Sequence, residues 1–512
     1  MSKFNKPLTA EQVVSRKPGA TTNFEGGLAY ELDIKTKLMK MTATSLVGEN
    51  KFYTSGEKAD SEILDLIHAV AQKDPEFILK LALYTREVLR LRSAPVMLIA
   101  EIANANVGGI PNSRRYVERT IQRVDEITEL LAYQLERNSQ NPRNSKLPML
   151  LKNGVGRAFN KFDEYQFAKY DRDGAVTLRD ALFMTHPKPK DAKQQRLFDK
   201  IVNGELETPE TWQTYISEHG SNNKSWTHIA PKMPIFALVR NLRNLLQNNV
   251  DTDLYTDKLR NKKVIQRSRM FPFRFYSAYV TVAREVPTSI EQREVLDALE
   301  DSITLSIANI PKIEGRTAIF CDLSGSMGDT VSSKSHVRYV DIGTLFGAMA
   351  DQICDKSIVG AFGEHFDTVD MPKRMPIFQK MMQFNNVNVG GATNAWKAID
   401  WLIKTNTKVD RVMVFSDEQV YNTDHHYIGY SWGPKDKSET LQAKMQVYRN
   451  KINPNAYLHS FDLSGYPTTM IPNDDPKSNL VAGWSEQIFN YIELYEKGFA
   501  TMVDIVENYP VD

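Results

Sequence analysis

At Pro311 the periodicity of this chain changes, and that change limits the folds open to it. Upstream, apolar residues recur at helical spacing: Ile63, Leu64, Ile67, Val70 and Ala71 share one helix face. Asp74-Pro75 closes that stretch and opens another from Glu76 to about Leu91, proline being favoured at a helix start. Pro95 opens a third helix, and one long amphipathic helix is expected from Arg114 to about Arg137. Helices with short Pro, Gly or Asn joints continue to about residue 310, without a fixed-period repeat. Irregular antiparallel pairs of the HEAT or armadillo kind fit this pattern. Residues 1–58 read as loop-rich, broken by Lys17-Pro18-Gly19, Glu25-Gly26-Gly27 and Gly48.

Downstream, Thr317–Asp322 is a short apolar run with the look of a buried parallel strand. Strands are expected again at Ser357–Phe362, Arg411–Ser416 and Ala456–Asp462, with helices near 341–354, 394–405 and 438–451. Such alternation predicts a doubly wound α/β sheet. The expected organisation is a helical module over 1–312 and an α/β domain over 313–512, whose last residues pack back on the helices.

Charge follows the same division. Residues 141–275 carry 24 Lys/Arg against 14 Asp/Glu, whereas 315–512 carry 18 against 24. A basic middle beside an acidic end points to different partners, phosphate being the usual partner of a concentrated positive field. No stretch reaches the roughly 18–20 apolar residues of a membrane span, and the N-terminus has no apolar signal region. Two cysteines, Cys321 and Cys354, make no disulfide framework; a reducing, cytoplasmic setting is expected.

The first expected strand runs into Asp322-Leu323-Ser324-Gly325-Ser326. A strand-to-loop turn projects alternate side chains, so 322, 324 and 326 can reach one point. A carboxylate and two hydroxyls are hard oxygen donors, suited to Mg²⁺ and also to Mn²⁺ or Ca²⁺. Here the chain resembles the von Willebrand factor A family and its metal-ion-dependent adhesion site. That family adds a Thr and an Asp from later loops; Thr393 of Gly390-Gly391-Ala392-Thr393-Asn394 and Asp417 of Phe415-Ser416-Asp417 match them. The resemblance implies an open coordination position for a partner's oxygen donor. His425 and His426 are read as loop residues and not as ligands. The sequence holds no GxxxxGK[ST], HExxH, CxxC or GxSxG motif, so an enzyme is not expected.

Several basic segments resemble the Ro autoantigen family and its TROVE module: Gly156–Gln166, Ala168-Lys169-Tyr170, Leu178-Arg179-Asp180 with Thr185-His186-Pro187, Pro231–Pro234 with Arg240–Asn244, and Ser268–Arg274. Asn23-Phe24-Glu25-Gly26-Gly27 has the same look. The resemblance implies a closed ring of HEAT-like repeats with the A domain packed against it. It also implies a monomeric ribonucleoprotein binding small structured Y-like RNA outside the ring and single-stranded ends of misfolded RNA in its hole, with an exoribonuclease as partner. Lys169, Arg172 and His186 match the positions that grip structured RNA. Arg240 is a further RNA contact in this reading, although Arg240 and Arg243 could equally pair with core carboxylates. Lys262, Lys263, Arg267 and Arg269 belong to a basic strip from Lys258 to Arg274 interleaved with Phe271, Phe273 and Tyr276. Cations among rings suit unstacked bases, but the rings themselves fit ring core better than base platforms. The competing function is a metal-dependent protein–protein adaptor working through the A domain.

Overall fold

The computed structural model describes residues 19–44, 54–105, 109–140, 146–420 and 440–511, apart from positions 26, 208, 271, 309, 334, 473, 485 and 499–500. His425 and His426 lie outside the described residues. Two compact units emerge: Lys58–Ile229 with Val503–Asp512, and Met1–Glu57 with Ala230–Met502. These units do not divide at residue 312, because helices between 235 and 306 cluster with the α/β domain.

The first unit is helical. Helix Pro75–Glu87 starts where Asp74 Oδ1 accepts the Phe77 amide at 3.1 Å, an N-cap followed by proline. The long helix expected over 114–137 is two, Ser113–Thr120 and Asp125–Gln140. The cause is Glu126, whose Oε2 accepts the backbone amides of Gln122 and Arg123 at 2.8 and 3.1 Å. Arg86 pairs with the same carboxylate at 2.7 Å, so a tertiary ion pair sets the break. The last residues return to this unit. Tyr509 packs edge-on against Tyr84 and donates to Glu87, while Arg119 donates to Pro510 O.

The second unit holds the sheets. Its strands are β1 (Ala20–Thr22), β2 (Leu28–Glu31), β3 (Ile313–Asp322), β4 (Cys354–Phe362), β5 (Phe366–Thr368), β6 (Arg411–Ser416), β7 (Tyr457–Asp462), β8 (Thr468–Thr469) and β9 (Ser478–Ala482). The main sheet runs β5-β4-β3-β6-β7-β9, parallel except at the β5 edge. On one face Ala318, Phe320, Val412 and Val414 meet Ile399 and Leu402 of helix Trp396–Lys404 and Met445 and Tyr448 of helix Leu441–Lys451. Helix Tyr339–Ile353 is almost wholly buried. The chain winds outward from β3 in both directions, which makes the β3–β6 boundary the topological switch point.

Within the stretch 1–58 read as loop-rich, the described residues 19–44 carry regular structure. Strands β1, β2 and β8 form an antiparallel sheet, with Tyr30 opposite Thr469, and helix Ile34–Thr44 follows. β1 and β2 pair locally, but the partner that seats them, β8, lies some 440 residues along the chain, beyond the reach of a local pattern.

Candidate metal centre and basic surfaces

Asp322 closes β3 and Asp417 follows β6, so both carboxylates stand at the C-terminal ends of strands flanking the switch point. Asp322 Oδ1 accepts the Ser324 amide at 2.9 Å and Oδ2 accepts the Ser416 hydroxyl at 2.6 Å. The Ser324 and Ser326 hydroxyls are 3.4 Å apart, and Ser326 also bonds to the Asp417 side chain. The Thr393 loop is brought in by its backbone: Gly325 N donates to Gly391 O at 2.9 Å, and Asn394 N donates to Gly363 O. Gly390 makes that turn at φ +74°, where a Cβ would sit 2.6 Å from Cβ of Glu364. All five expected donors are buried in one region.

The electrostatics of this region ask for a cation. Burial pushes Asp322 up to about 6. Burial together with the neighbouring Asp322 pushes Asp417 up to about 8. Two further buried carboxylates, Glu418 and Asp462, lie beside them, and the counter-charge is Lys40 from helix Ile34–Thr44. Lys40 Nζ reaches Glu418 Oε2 at 2.8 Å, Asp462 Oδ2 at 3.1 Å and Thr468 O at 2.6 Å, with all three side chains at 0% exposure. Four acids beside one ammonium cannot all be ionised in a dry place without cost, and the raised values of Asp322 and Asp417 mark a proton held there unless a cation takes its place. Carboxylates and hydroxyls converging there fit a hard divalent ion. Among the described residues no three His, Cys, Asp or Glu side chains group as a metal site by themselves.

Sequence reasoning missed the residues that hold this site. Ser416 orients Asp322, and its only local signal is that it precedes Asp417 at a strand end. Glu418 sits at φ 62°, a left-handed conformation for a non-glycine residue beside the donor set. The N-terminal segment braces the same loop: Phe24 N donates to Gln419 Oε1 and Asn23 Nδ2 donates to Val420 O at 2.7 Å. Gly27 passes so close that a Cβ would lie 2.1 Å from Val420 O, which gives the Asn23–Gly27 run its physical reason.

The expected RNA contacts fall in several places. Lys169 ends helix Glu164–Tyr170, and with Arg172 it lines a cavity of about 480 Å³ closed by Asp171, Thr211, Gln213, Thr214 and Ser217. His186 is exposed and is the left-handed C-cap of helix Leu178–Thr185 at φ 46°; it does not line that cavity. Arg240 is exposed, whereas Arg243 pairs with Glu285, which is not a core carboxylate. Lys262, Lys263, Arg267 and Arg269 are exposed on and after helix Lys262–Ser268. Their neighbours are engaged within the protein. Lys258 donates to Pro231 O and Met233 O, and Arg260 pairs with Asp301. The interleaved rings are packing: Tyr276 meets Phe378 and Phe273 meets Trp484 edge-on, while Phe271 lies outside the described residues. The strip is therefore a row of cations whose described rings are engaged in packing, in keeping with the core reading of them.

The fold is that of a helical-repeat protein joined to an A-type α/β domain. The TROVE domain profile matches residues 29–204 and 194–295, and the chain belongs to that family. It is 22% identical over 475 residues to RNA-binding protein RO60 of Deinococcus radiodurans, covering 82% of this chain and 87% of that protein. It is also 22% identical over 332 residues to telomerase protein component 1 of Mus musculus, matching 48% of this chain but 13% of that protein. The crystal structure of the Deinococcus radiodurans RO (RSR) protein superposes with a TM-score of 0.61 at 17% identity, covering 91% of this chain and all of that one. The shared fold is thus the helical repeats plus the A domain.

Proposed function

We propose that this chain is a non-catalytic RNA-binding protein of the Ro kind. It binds small structured Y-like RNA and single-stranded ends of misfolded RNA, and acts in small-RNA stability and RNA quality control. The observation that carries this reading is a coincidence of position. The TROVE match, 29–295, contains the stretch in which Lys and Arg outnumber Asp and Glu by 24 to 14. Phosphate recognition needs concentrated, exposed cations. The Lys169–Arg172 cavity and the exposed Arg240, Lys262, Lys263, Arg267 and Arg269 supply them. His186, also exposed, adds a ring nitrogen that can donate. The setting is cytoplasmic, the protein acts as a monomeric ribonucleoprotein, and degradation of its RNA falls to an associated exoribonuclease.

Filter binding of a hairpin RNA between about 50 and 200 mM salt tests this. Log affinity should fall linearly with log salt, at about 0.7–0.9 per phosphate contact. Lys169→Ala with Arg172→Ala should weaken binding several-fold without changing sequence preference. A flat salt dependence, or a preparation that binds no RNA, would overturn the reading.

A second reading has its own observation: the unbalanced acids around Asp322 and Asp417. In it the A domain holds Mg²⁺, with Mn²⁺ or Ca²⁺ as substitutes, through Asp322, Ser324, Ser326, Thr393 and Asp417, directly or through water. The open position takes a carboxylate from a protein partner, so that the chain also serves as an adaptor.

A further inference from the structure

Helix Trp212–His219 is unusual in this protein: none of its residues is buried. It begins with a reciprocal cap between Thr211 and Thr214 and ends at Gly220, φ 79°. Helix Asn223–Ile229 follows, its start capped by Asn222 Oδ1, which accepts the Ser225 amide at 3.1 Å. A stacked pair of rings anchors the two helices to each other. Trp226, 2% exposed, stacks on Trp212 at 6.1 Å and donates its Nε1–H to Ser221 Oγ.

Three more rings are stacked outside that anchor. Tyr215 lies nearly parallel to His219 at 4.2 Å and 14°, and to His228 at 4.7 Å and 18°. His219 and His228 are both exposed. His219 Nδ1 stands 3.1 Å from Tyr215 O, so this nitrogen carries the proton when the ring is neutral, and the bond fixes the ring plane. His228 has Glu210 at 4.0 Å. Ordered aromatic faces turned toward water bury little apolar area, so hydrophobic packing does not explain them.

The other side of the same helix supplies the second half of the argument. Gln213, Thr214 and Ser217 line the cavity that also holds Lys169 and Arg172, together with Asp171. Residues 213, 214 and 217 share one face at helical spacing, while 215 and 219 lie across the helix from them. The cation-lined cavity and the ring stack are therefore about one helix diameter apart, roughly 10–12 Å, a distance that a short single strand spans.

We propose that the His219–Tyr215–His228 stack is a platform for an unpaired base of RNA whose neighbouring phosphates lie in the Lys169–Arg172 cavity. Every base has a π face, so stacking on an edge-fixed ring is tolerant of sequence, and the adjacent cations complement the strand that carries the base. The proposal rests on the RNA-binding reading and deepens it by assigning the hairpin 212–229 to recognition of single-stranded character.

The test uses the full chain and two RNAs: a hairpin with a single-stranded tail containing 2-aminopurine, and the same hairpin without the tail. His219→Ala should weaken the tailed RNA by about 10-fold, leave the untailed hairpin within twofold, and relieve the quenching of 2-aminopurine seen on wild-type protein. His219→Phe, which keeps a ring, should restore affinity and quenching. An unchanged melting temperature checks that the exposed substitution is harmless to the fold. Equal affinity of wild type and His219→Ala for the tailed RNA overturns the proposal and leaves RNA binding standing. So does equal loss on both RNAs, or a His219→Phe protein that behaves like His219→Ala. Wild-type protein that binds neither RNA overturns the RNA reading itself. A ring stack that instead holds a protein partner would show as no tail-dependent quenching at all, and that also ends the proposal.

Discussion

The Asp322 carboxylate illustrates how a buried charge is prepared for a ligand. Its two oxygens accept Ser324 N–H and Ser416 O–H, bonds that fix its plane, while Asp417 nearby raises the cost of keeping both acids ionised. Lys40 neutralises only part of the surrounding charge, and it is committed to Glu418 and Asp462. A divalent cation would complete the balance, and its binding would displace the protons that burial favours. Millimolar Mg²⁺ should therefore raise the melting temperature of the wild-type protein, since a ligand that binds only the folded state stabilises it by mass action. Asp322→Ala should abolish that rise and leave hairpin-RNA affinity within twofold, because the exposed cations proposed to read phosphate lie elsewhere in the chain. Calorimetric titration together with filter binding checks both halves. An Mg²⁺-dependent rise that persists in Asp322→Ala would show that the ion binds at other residues.

At the scale of elements, the helix Asn490–Glu496 is tied to the sheet by one carboxylate. Glu496 meets Arg411 of β6 in a bidentate pair at 2.6 and 2.8 Å, and His459 Nε2 of β7 at 2.9 Å. Burial alone would raise this acid, but hydrogen bonds from Arg411 and His459 and their charges outweigh it and hold it down at about 2, below its ordinary 4.5. Burial keeps His459 below its usual range, so that ring contributes mainly as a neutral donor. The sign follows from the lowered folded value: the contribution is present above about pH 4.5 and is lost as pH falls toward 2. Its size is on the order of 3 kcal/mol at neutral pH. Melting curves between pH 5 and pH 2 should fall more steeply for wild type than for Glu496→Gln, which should start lower and show less acid sensitivity. Parallel curves would mean that other acids govern the transition.

For the whole molecule, the compact units are assembled from segments distant in the chain. Residues 503–512 belong with 58–229, through Tyr509 on Tyr84 and Glu87, Pro510 O on Arg119, and Glu507 O on Lys80. Removing residues 503–512 exposes Tyr84, which is 1% exposed, and takes the Tyr509 hydroxyl from Glu87 and the Pro510 carbonyl from Arg119, leaving those two paired with each other. A loss of roughly 2–4 kcal/mol is expected from burying one aromatic fewer. The shortened chain should unfold at lower denaturant concentration while retaining its Mg²⁺ response. A midpoint equal to that of the full chain would show that the tail contributes nothing to the helical unit.

How much of this was legible beforehand depends on the distance over which each feature is encoded. The donor run Asp322, Ser324 and Ser326 was readable because a strand and its turn fix alternate side chains within five residues. The strands Arg411–Ser416 and Tyr457–Asp462 were readable because buried parallel strands are short continuous apolar runs. The break at Ile121–Val124 was not, since the Glu126 side chain ends one helix and starts another only when Arg86 stands opposite it. Nor were the partners of Phe273 and Tyr276, since a core reading of those rings names neither Trp484 nor Phe378. Lys40 is the clearest case: in sequence it lies between Met39 and Met41 like any lysine on a helix. Only the tertiary fold brings it against Glu418, 378 residues away, because ion pairing is decided by proximity in space. The amino-acid sequence by itself determined the two kinds of architecture and the local donor motif, through periodicity and spacing. The tertiary structure decided which charges are buried together and which rings face water, because desolvation and Coulomb energy depend on neighbours that no local pattern names.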